Sequence, residues 1–491
     1  MAMKRNLESA LANLKAIQLL KSFDKHIIRN LRDASIETRP ASSNGLWCCV
    51  LLPTVLVLNA LQYKVSLEYC IITCIAVALL AYCILFVIFM SVSCLVLKEN
   101  ISGGCGAASL VSTLLLYAVL DQGLLYSLNI SLISVYLFSS LLRLSLTMYP
   151  KTFTIGEAMI VMQGITLYAL LMFLRLTYSC GDISDAEMVF VNNINFTILS
   201  SVGIIVTALN MLDDSQRDLK TLCYIISIAG TYALVMLHLL IGVDCILQVV
   251  VYIVLDMQKV QLFLFWLGLA VVSFFVILLR TRVAVKASTV TRKVFHILAS
   301  LVFLTGIVYD EHLILLAAGF GLGLMILLET VRKSKIEEIS PALEAAFQVY
   351  CDEKDTGCFA LTPVYLYVGL AVPLVIVPNH AYHKLELLAG VLSIGVGDTA
   401  ASWFGSKYGY NKWTDGHKSL EGTAFNIMSQ VATVYALEFL DLIQEPNLLV
   451  RAIVTAVATG MVEAKTDQID NLVLPLVSLV SLRFAWFLFD P

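Results

Sequence analysis

The chain has 491 residues, of which 59% are hydrophobic and only 14% charged, and its mean hydropathy is +0.86. Soluble domains run at roughly 45–50% apolar and about 25% charged, so the composition excludes a soluble enzyme and a soluble enzyme on a single anchor. The formal net charge of −4 says little, because where the charges sit matters more than their sum, and no nucleic-acid partner is expected. The twelve cysteines are scattered, mostly inside apolar runs (Cys70, Cys74, Cys83, Cys94), with no C-x-x-C pair. That spacing argues against structural zinc and against a disulfide framework.

Residues 1–45 form a basic arm, with Lys4, Arg5, Lys15, Lys21, Lys25, Arg29, Arg32 and Arg39 against four acids. Leu7, Leu11, Leu14, Ile17 and Leu20 fall near helical spacing. An amphipathic helix on an anionic membrane surface fits this pattern, and so does a solvated tail. No short apolar core followed by small residues is present, so a cleavable signal peptide is not expected.

From Leu46 the chain is a succession of apolar runs: 46–62, 66–97, 107–122, 126–147, 157–177, 192–212, 221–241, 243–256, 260–280, 296–309, 312–331, 357–378, 385–404, 423–441, 448–462 and 471–489. A span needs about 20 apolar residues. The expectation is an all-α polytopic membrane protein of about 13 to 16 transmembrane helices, in which 66–97 has room for two and some short runs pair or re-enter. Asn100, Asn129 and Asn195 lie in N-x-Ser/Thr sequons, each close to an apolar run, and are read as chance matches. Thr154 and Glu157 have the spacing of a capping box, which starts the next helix; Glu157 and Gln163 are also candidates to line a cavity. Residues 46–280 read as multi-span scaffold, and 281–491 as the region that carries the concentrated polarity.

Orientation follows from the basic loops. Arg280, Arg282, Lys286, Arg292 and Lys293 precede one span; Arg332, Lys333 and Lys335 come two spans later, and Lys407, Lys412 and Lys418 two spans later again. An even number of spans separates them, so they share a side, which the positive-inside rule makes cytosolic. By the same count 463–470 returns to that side.

Four constellations there can carry chemistry. Arg292 and His296 share a helical face, where they can meet a phosphate; the plain alternative for Arg292 and Lys293 is a positive-inside anchor. In the loop 332–356, Ser340-Pro341 resembles a helix start, and Asp352 and Asp355 offer carboxylates to a divalent cation or form a solvated turn. Gly390, Ser393, Gly397, Ala401 and Gly405 make a small-residue stripe for close helix packing. Within it Asp398 is costly in a membrane unless it pairs, meets water or binds an ion. Lys418-Ser419-Leu-Glu421-Gly422 precedes an apolar run, where a helix N-terminus, an ammonium and the glycines Gly416 and Gly422 suit a phosphate. This is not a P-loop, since His417 separates Gly416 from Lys418. Last, Glu463-Ala-Lys-Thr-Asp467-Gln-Ile-Asp470-Asn471 offers acids for Mg²⁺ on the same side.

The pattern Asp398-x-x-Ala401 … Gly405-x-x-x-Gly409 … Lys418-Ser419-x-Glu421-Gly422 resembles the nucleotide-binding signature of the CTP-dependent polyprenol kinase family. Glu463 … Asp470-Asn471-x-x-x-Pro475 and Arg292-Lys293-x-x-His296 are similar to its other motifs. Asp352-x-x-Asp355-x-Gly357 and Leu361-Thr-Pro-Val-Tyr-Leu, with the long multi-span N-terminal half, point to its dolichol kinase branch. The segment Asn411-Lys-Trp-Thr-Asp-Gly-His departs from the compact run of relatives. The resemblance implies transfer of the γ-phosphoryl of CTP to dolichol at the endoplasmic reticulum membrane, with Mg²⁺ as the divalent cation. It places Asp398, Gly405, Gly409, Lys418, Ser419, Glu421, Gly422, Arg292 and Lys293 at the nucleotide. Asp398, Asp467 and Asp470 go to the metal, and Asp398, Asp355 or His296 takes the acceptor proton. Related readings are a kinase of phytol or diacylglycerol and a phosphatidate cytidylyltransferase. A transporter would show charges near mid-membrane in broken helices, whereas here they are read at one face. A homodimer is left open.

Overall fold

The structure, a computed structural model, describes residues 24–93, 102–178, 186–283, 289–350, 354–379, 383–413 and 418–489. Readings that rest on the arm before residue 24, on Asn100, Asp352 and Gly416, or on the side chains of Arg280, Arg282 and Lys286 lie outside the described residues.

Apart from one isolated bridge between Lys412 and Ser419, the described residues form helices and connections. In a bilayer every backbone polar group needs an internal partner, and a helix supplies one within its own segment. The main helices are α1 (Cys48–Gln62), α2 (Leu67–Val92), α3 (Ser102–Ala118), α4 (Leu124–Met148), α5 (Ile155–Tyr178), α6 (Ala186–Met211), α7 (Leu219–Ile241), α8 (Cys245–Val254) and α9 (Met257–Val283). They continue as α10 (Thr289–Tyr309), α11 (Glu311–Lys333), α12 (Ser340–Tyr350), α13 (Thr362–Ile376), α14 (Thr399–Tyr408), α15 (Leu420–Phe439), α16 (Leu448–Lys465) and α17 (Asp470–Phe489). Nine helices among the described residues are long and apolar enough to cross a membrane, and four apolar helices are shorter, at 10–17 residues. This is a polytopic membrane protein, as expected. The described residues of the run 66–97, up to Ser93, hold a single long helix, α2.

The chain forms two compact units, one of residues 1–60, 64–171 and 356–358, the other of 61–63, 172–355 and 359–491. The change in polarity near 281 therefore falls inside the second unit. In the first unit the capping box is real: the Thr154 amide donates to Glu157 at 2.9 Å and the Glu157 amide to Thr154 Oγ1 at 3.2 Å. Glu157 also takes both Nε and Nη2 of Arg39, at 3.0 and 2.6 Å, and both residues are buried. Arg39 thus belongs to a packed core and not to a solvated or membrane-surface arm. Asn195 is buried in α6 with its amide on the Leu315 carbonyl, so its sequon is inaccessible.

In the second unit, helices from α10 onward, the short α12 aside, run alternately between two ends. At one end lie the starts of α10, α15 and α17 and the ends of α11, α14 and α16, as the even span count required; the contacts Lys354–Asp470 and Lys418–Glu463 tie these loops together. At the other end Lys384 donates to the Val308 carbonyl and the Leu385 amide to Glu445.

That far end is also charged, which corrects the expectation of polarity at one face. Arg451 pairs with Glu386 at 3.2 Å and Glu445 at 2.8 Å, and Arg483 pairs with Glu386. Both arginines are 0% exposed. Their guanidinium groups stand over Trp486 and Tyr63. Lys259, Glu187 and Asp310 form a second group at this end. The argument against a transporter from one-sided charge therefore fails on the structure.

Candidate active site

Asp398 ends a π-helical stretch, Val391–Asp398, that feeds directly into α14. A π turn adds a residue and rotates the helix beyond it; such turns are common at functional sites. Here it splits the small-residue stripe. Gly390 lies against the Gly369 carbonyl on α13, whereas Gly397 lies against Asn426 and Gln430 of α15. Asp398 is only 3% exposed, and its carboxylate is paired with Lys293 in the second turn of α10. That satisfies the demand that an aspartate at this depth find a partner.

Gly405 and Gly409 let α14 close on the start of α15. A methyl on Gly409 would sit 2.3 Å from the Gly405 carbonyl oxygen and 2.5 Å from Ser419 Oγ. One on Gly422 would stand 3.1 Å from the same hydroxyl. Ser419 is the N-cap of α15, accepting from the Gly422 amide at 3.1 Å. The Leu420 amide donates to the Asn411 carbonyl and that of Thr423 to the Ser419 carbonyl. The first-turn donors expected to meet an anion are therefore largely engaged by the protein. Glu421 anchors the preceding loop, accepting from the Asn411 amide and Nδ2 at 3.1 and 2.7 Å. Trp413 Nε1 donates to Thr423 Oγ1 at 3.1 Å, closing that loop over the helix start.

Lys418 stands where the loop meets α16 and α17. Its ammonium pairs with the Glu463 carboxylate at 2.7 Å, donates to the Glu463 carbonyl, and lies 3.9 Å from Asp470. Burial works against its charge, but Asp470 and Glu463 outweigh that and hold the Lys418 pKa above its ordinary value. Lys354 reaches Asp470 at 3.3 Å and the Gln468 carbonyl at 3.0 Å. Asp398 acts electrostatically on both Lys418 and Glu463, and Lys293 on Asp470, so the charges form one cluster. Beside it opens a cavity of about 210 Å³ lined by Gly405, Lys412, Lys418, Ser419, Gly422 and Glu463, among others. This is below the roughly 300–1,000 Å³ of whole-ligand pockets and suits the phosphate end of a nucleotide.

Most of the residues singled out in the sequence thus converge. His296 is buried beside Asn471 of the start of α17, one turn below Lys293. Arg292 is half-buried at the start of the same helix. Two residues stand elsewhere. Asp355 turns Oδ1 to the amides of Leu361 and Thr362, at 3.1 and 3.2 Å, at the start of α13. Asp467 is exposed in the connection before α17, and it is Glu463 that stands with Asp470 around Lys418. Glu463 was read in the sequence as one of the acids offered to a cation, and an acid in the last turn of a helix, where it opposes the macrodipole, is a signal of the same kind. Lys354 is the site residue that the sequence reading did not select.

No solved structure matches this chain. A family profile described as dolichol kinase matches residues 50–414, which include Arg292, Lys293, His296, Asp398, Gly405 and Gly409. The dolichol kinase of Mus musculus is 32% identical over 375 residues, covering 72% of this chain and 69% of its own. That of Homo sapiens is 30% identical over 377 residues with the same coverage, and a dolichol kinase of Arabidopsis thaliana is 31% identical over 227 residues, 45% of this chain and 40% of its own. The chain belongs to the dolichol kinase family.

Proposed function

We propose that this membrane kinase transfers the γ-phosphoryl group of CTP to the terminal hydroxyl of dolichol, releasing CDP and dolichyl phosphate on the cytosolic face of the endoplasmic reticulum. The observation that carries the reading is Lys418 beside the cavity, with the carboxylates of Glu463 and Asp470 around it. Phosphoryl transfer asks mainly for positioning and charge neutralisation, and both are available where lysines and carboxylates interleave.

Lys418, Lys412 and Lys293 supply positive charge to the phosphates, and Gly405, Gly409, Ser419 and Gly422 shape the wall they approach. Glu421 holds the Asn411 loop over that wall. Asp398, Glu463 and Asp470 are hard oxygen donors of the kind that Mg²⁺ takes, with Asp467 nearby in sequence. When bound, the metal neutralises charge at the phosphate oxygens. Asp398 lies seven residues before Gly405, about 10 Å deeper along the helix. It and His296 therefore stand between the cavity and the membrane interior, from which a lipid hydroxyl arrives, and either is placed to accept its proton. Asp355 supports the site by capping α13.

The test is purified protein with γ-labelled CTP, offering dolichol, phytol and diacylglycerol in parallel. Label should pass to dolichol with release of CDP; pyrophosphate release would instead indicate a cytidylyltransferase. Asp398→Asn and Lys418→Ala should each lower turnover about 100-fold or more, the scale of losing one charge-stabilising group. Near-normal turnover in both variants would remove the proposed site.

A further inference from the structure

The charges of the site alternate, and each carboxylate has its own ammonium. Asp398 holds Lys293, Glu463 holds Lys418, and Asp470 holds Lys354 with Lys418 close by. Three lysines against three acids sum to zero. The six groups come from separate stretches: α10, the 354–361 connection, the π segment, the loop before α15, the end of α16 and the start of α17. Lys418 and Glu463 line the cavity itself. Their pairing sets a conflict, because the ammonium that would hold a phosphate sits on the oxygens that would hold a cation.

We infer that nucleotide and metal enter by partner exchange: Lys293, Lys354 and Lys418 leave their carboxylates for the phosphates of a nucleoside triphosphate, and the released Asp398, Glu463 and Asp470, whose oxygens stand too far apart in the ion-paired state to share one ion, close on the divalent cation. This rests on the phosphoryl-transfer reading and adds two things to it. Neither ligand binds well without the other, and Lys354, an unassigned position between Asp352 and Asp355, is a phosphate-holding residue. The reason is electrostatic. A cation alone would strand ammonium groups beside a like charge, and a triphosphate alone would face three carboxylates. Unpaired charge in a half-buried site is the costly state; only the two ligands together leave every group with a partner. The paired lysines act as tethered counter-ions that keep the carboxylates from taking Mg²⁺ until a nucleotide arrives.

Removing one lysine should therefore create a metal site, and removing one acid a nucleotide site. Mn²⁺ uptake by the purified full-length protein, without nucleotide, is read from the loss of the free-ion paramagnetic resonance signal. Lys418→Met and Lys354→Met should each bind Mn²⁺ at least tenfold more tightly than the unsubstituted protein. Lys354, whose side chain is 30% exposed, is the substitution less able to disturb the bundle. In the converse arm, equilibrium dialysis with labelled CTP in EDTA should show at least tenfold tighter binding by Glu463→Gln. If the unsubstituted protein already binds Mn²⁺ alone as tightly as both lysine variants, or if no variant gains, the exchange is overturned. CTP-dependent phosphorylation of dolichol by the unsubstituted protein would still stand in that case. Absence of that phosphorylation removes the kinase reading itself, whatever the Mn²⁺ result.

Discussion

Gly409 shows how little room is left between α14 and the start of α15. Its missing side chain is what allows the end of α14 to touch the Ser419 cap, since an added methyl would meet Ser419 Oγ at 2.5 Å. Overpacking of this kind costs about 1–3 kcal/mol. Gly409→Ala should lower both thermal stability in detergent and CTP affinity, read by melting and by equilibrium dialysis. Gly230→Ala is the control. Nothing lies within 4 Å of a methyl there, and alanine favours the helix by up to about 1 kcal/mol. Equal melting temperatures for the two variants would remove the packing argument. The motif glycines are thus explained by helix approach as much as by phosphate approach.

The π segment and the helices beside it place Asp398 and, at the opposite end, build the arginine cluster. Glu386, four residues before Gly390, binds both Arg451 of α16 and Arg483 of α17. Taking one partner from a buried ion pair costs about 3–5 kcal/mol. Glu386→Gln should therefore destabilise the second unit by several kcal/mol while leaving the residues proposed to meet CTP in place. The expected signature is a large drop in melting temperature with a nearly unchanged KM for CTP below the transition. A changed KM with unchanged melting would instead tie the cluster to the nucleotide. The three apolar runs that carry these charges read as plain spans because each charge is isolated in sequence; they pair only across helices.

At the scale of the whole molecule, sidedness is the decisive property. Lys412 and Asp470 share one end of the second unit, and Glu445 lies at the other. If the basic end faces the cytosol, an epitope placed in the 440–447 connection should be protected from protease in sealed microsomes, and one beside Lys412 should be cut. The reverse pattern would put CTP on the wrong side of the membrane. The sequence grouped these loops at one end because loop charge and span parity are local, additive properties. It did not find the second charged end, where no loop motif marked it.

Composition and apolar run length determined by themselves that this is a helical membrane protein, since lipid leaves few ways to satisfy a backbone. The spacing of Asp398, Lys418, Ser419 and Gly422 marked one side of the candidate site, because those residues lie along one continuous stretch. Which carboxylates face Lys418 was decided only by the tertiary structure. Glu463 rather than Asp467 stands beside it, and Lys354 arrives from more than a hundred residues before Asp470. The physical reason is that an ion pair depends on distance in space, and chain order constrains that distance only within a helical turn or two.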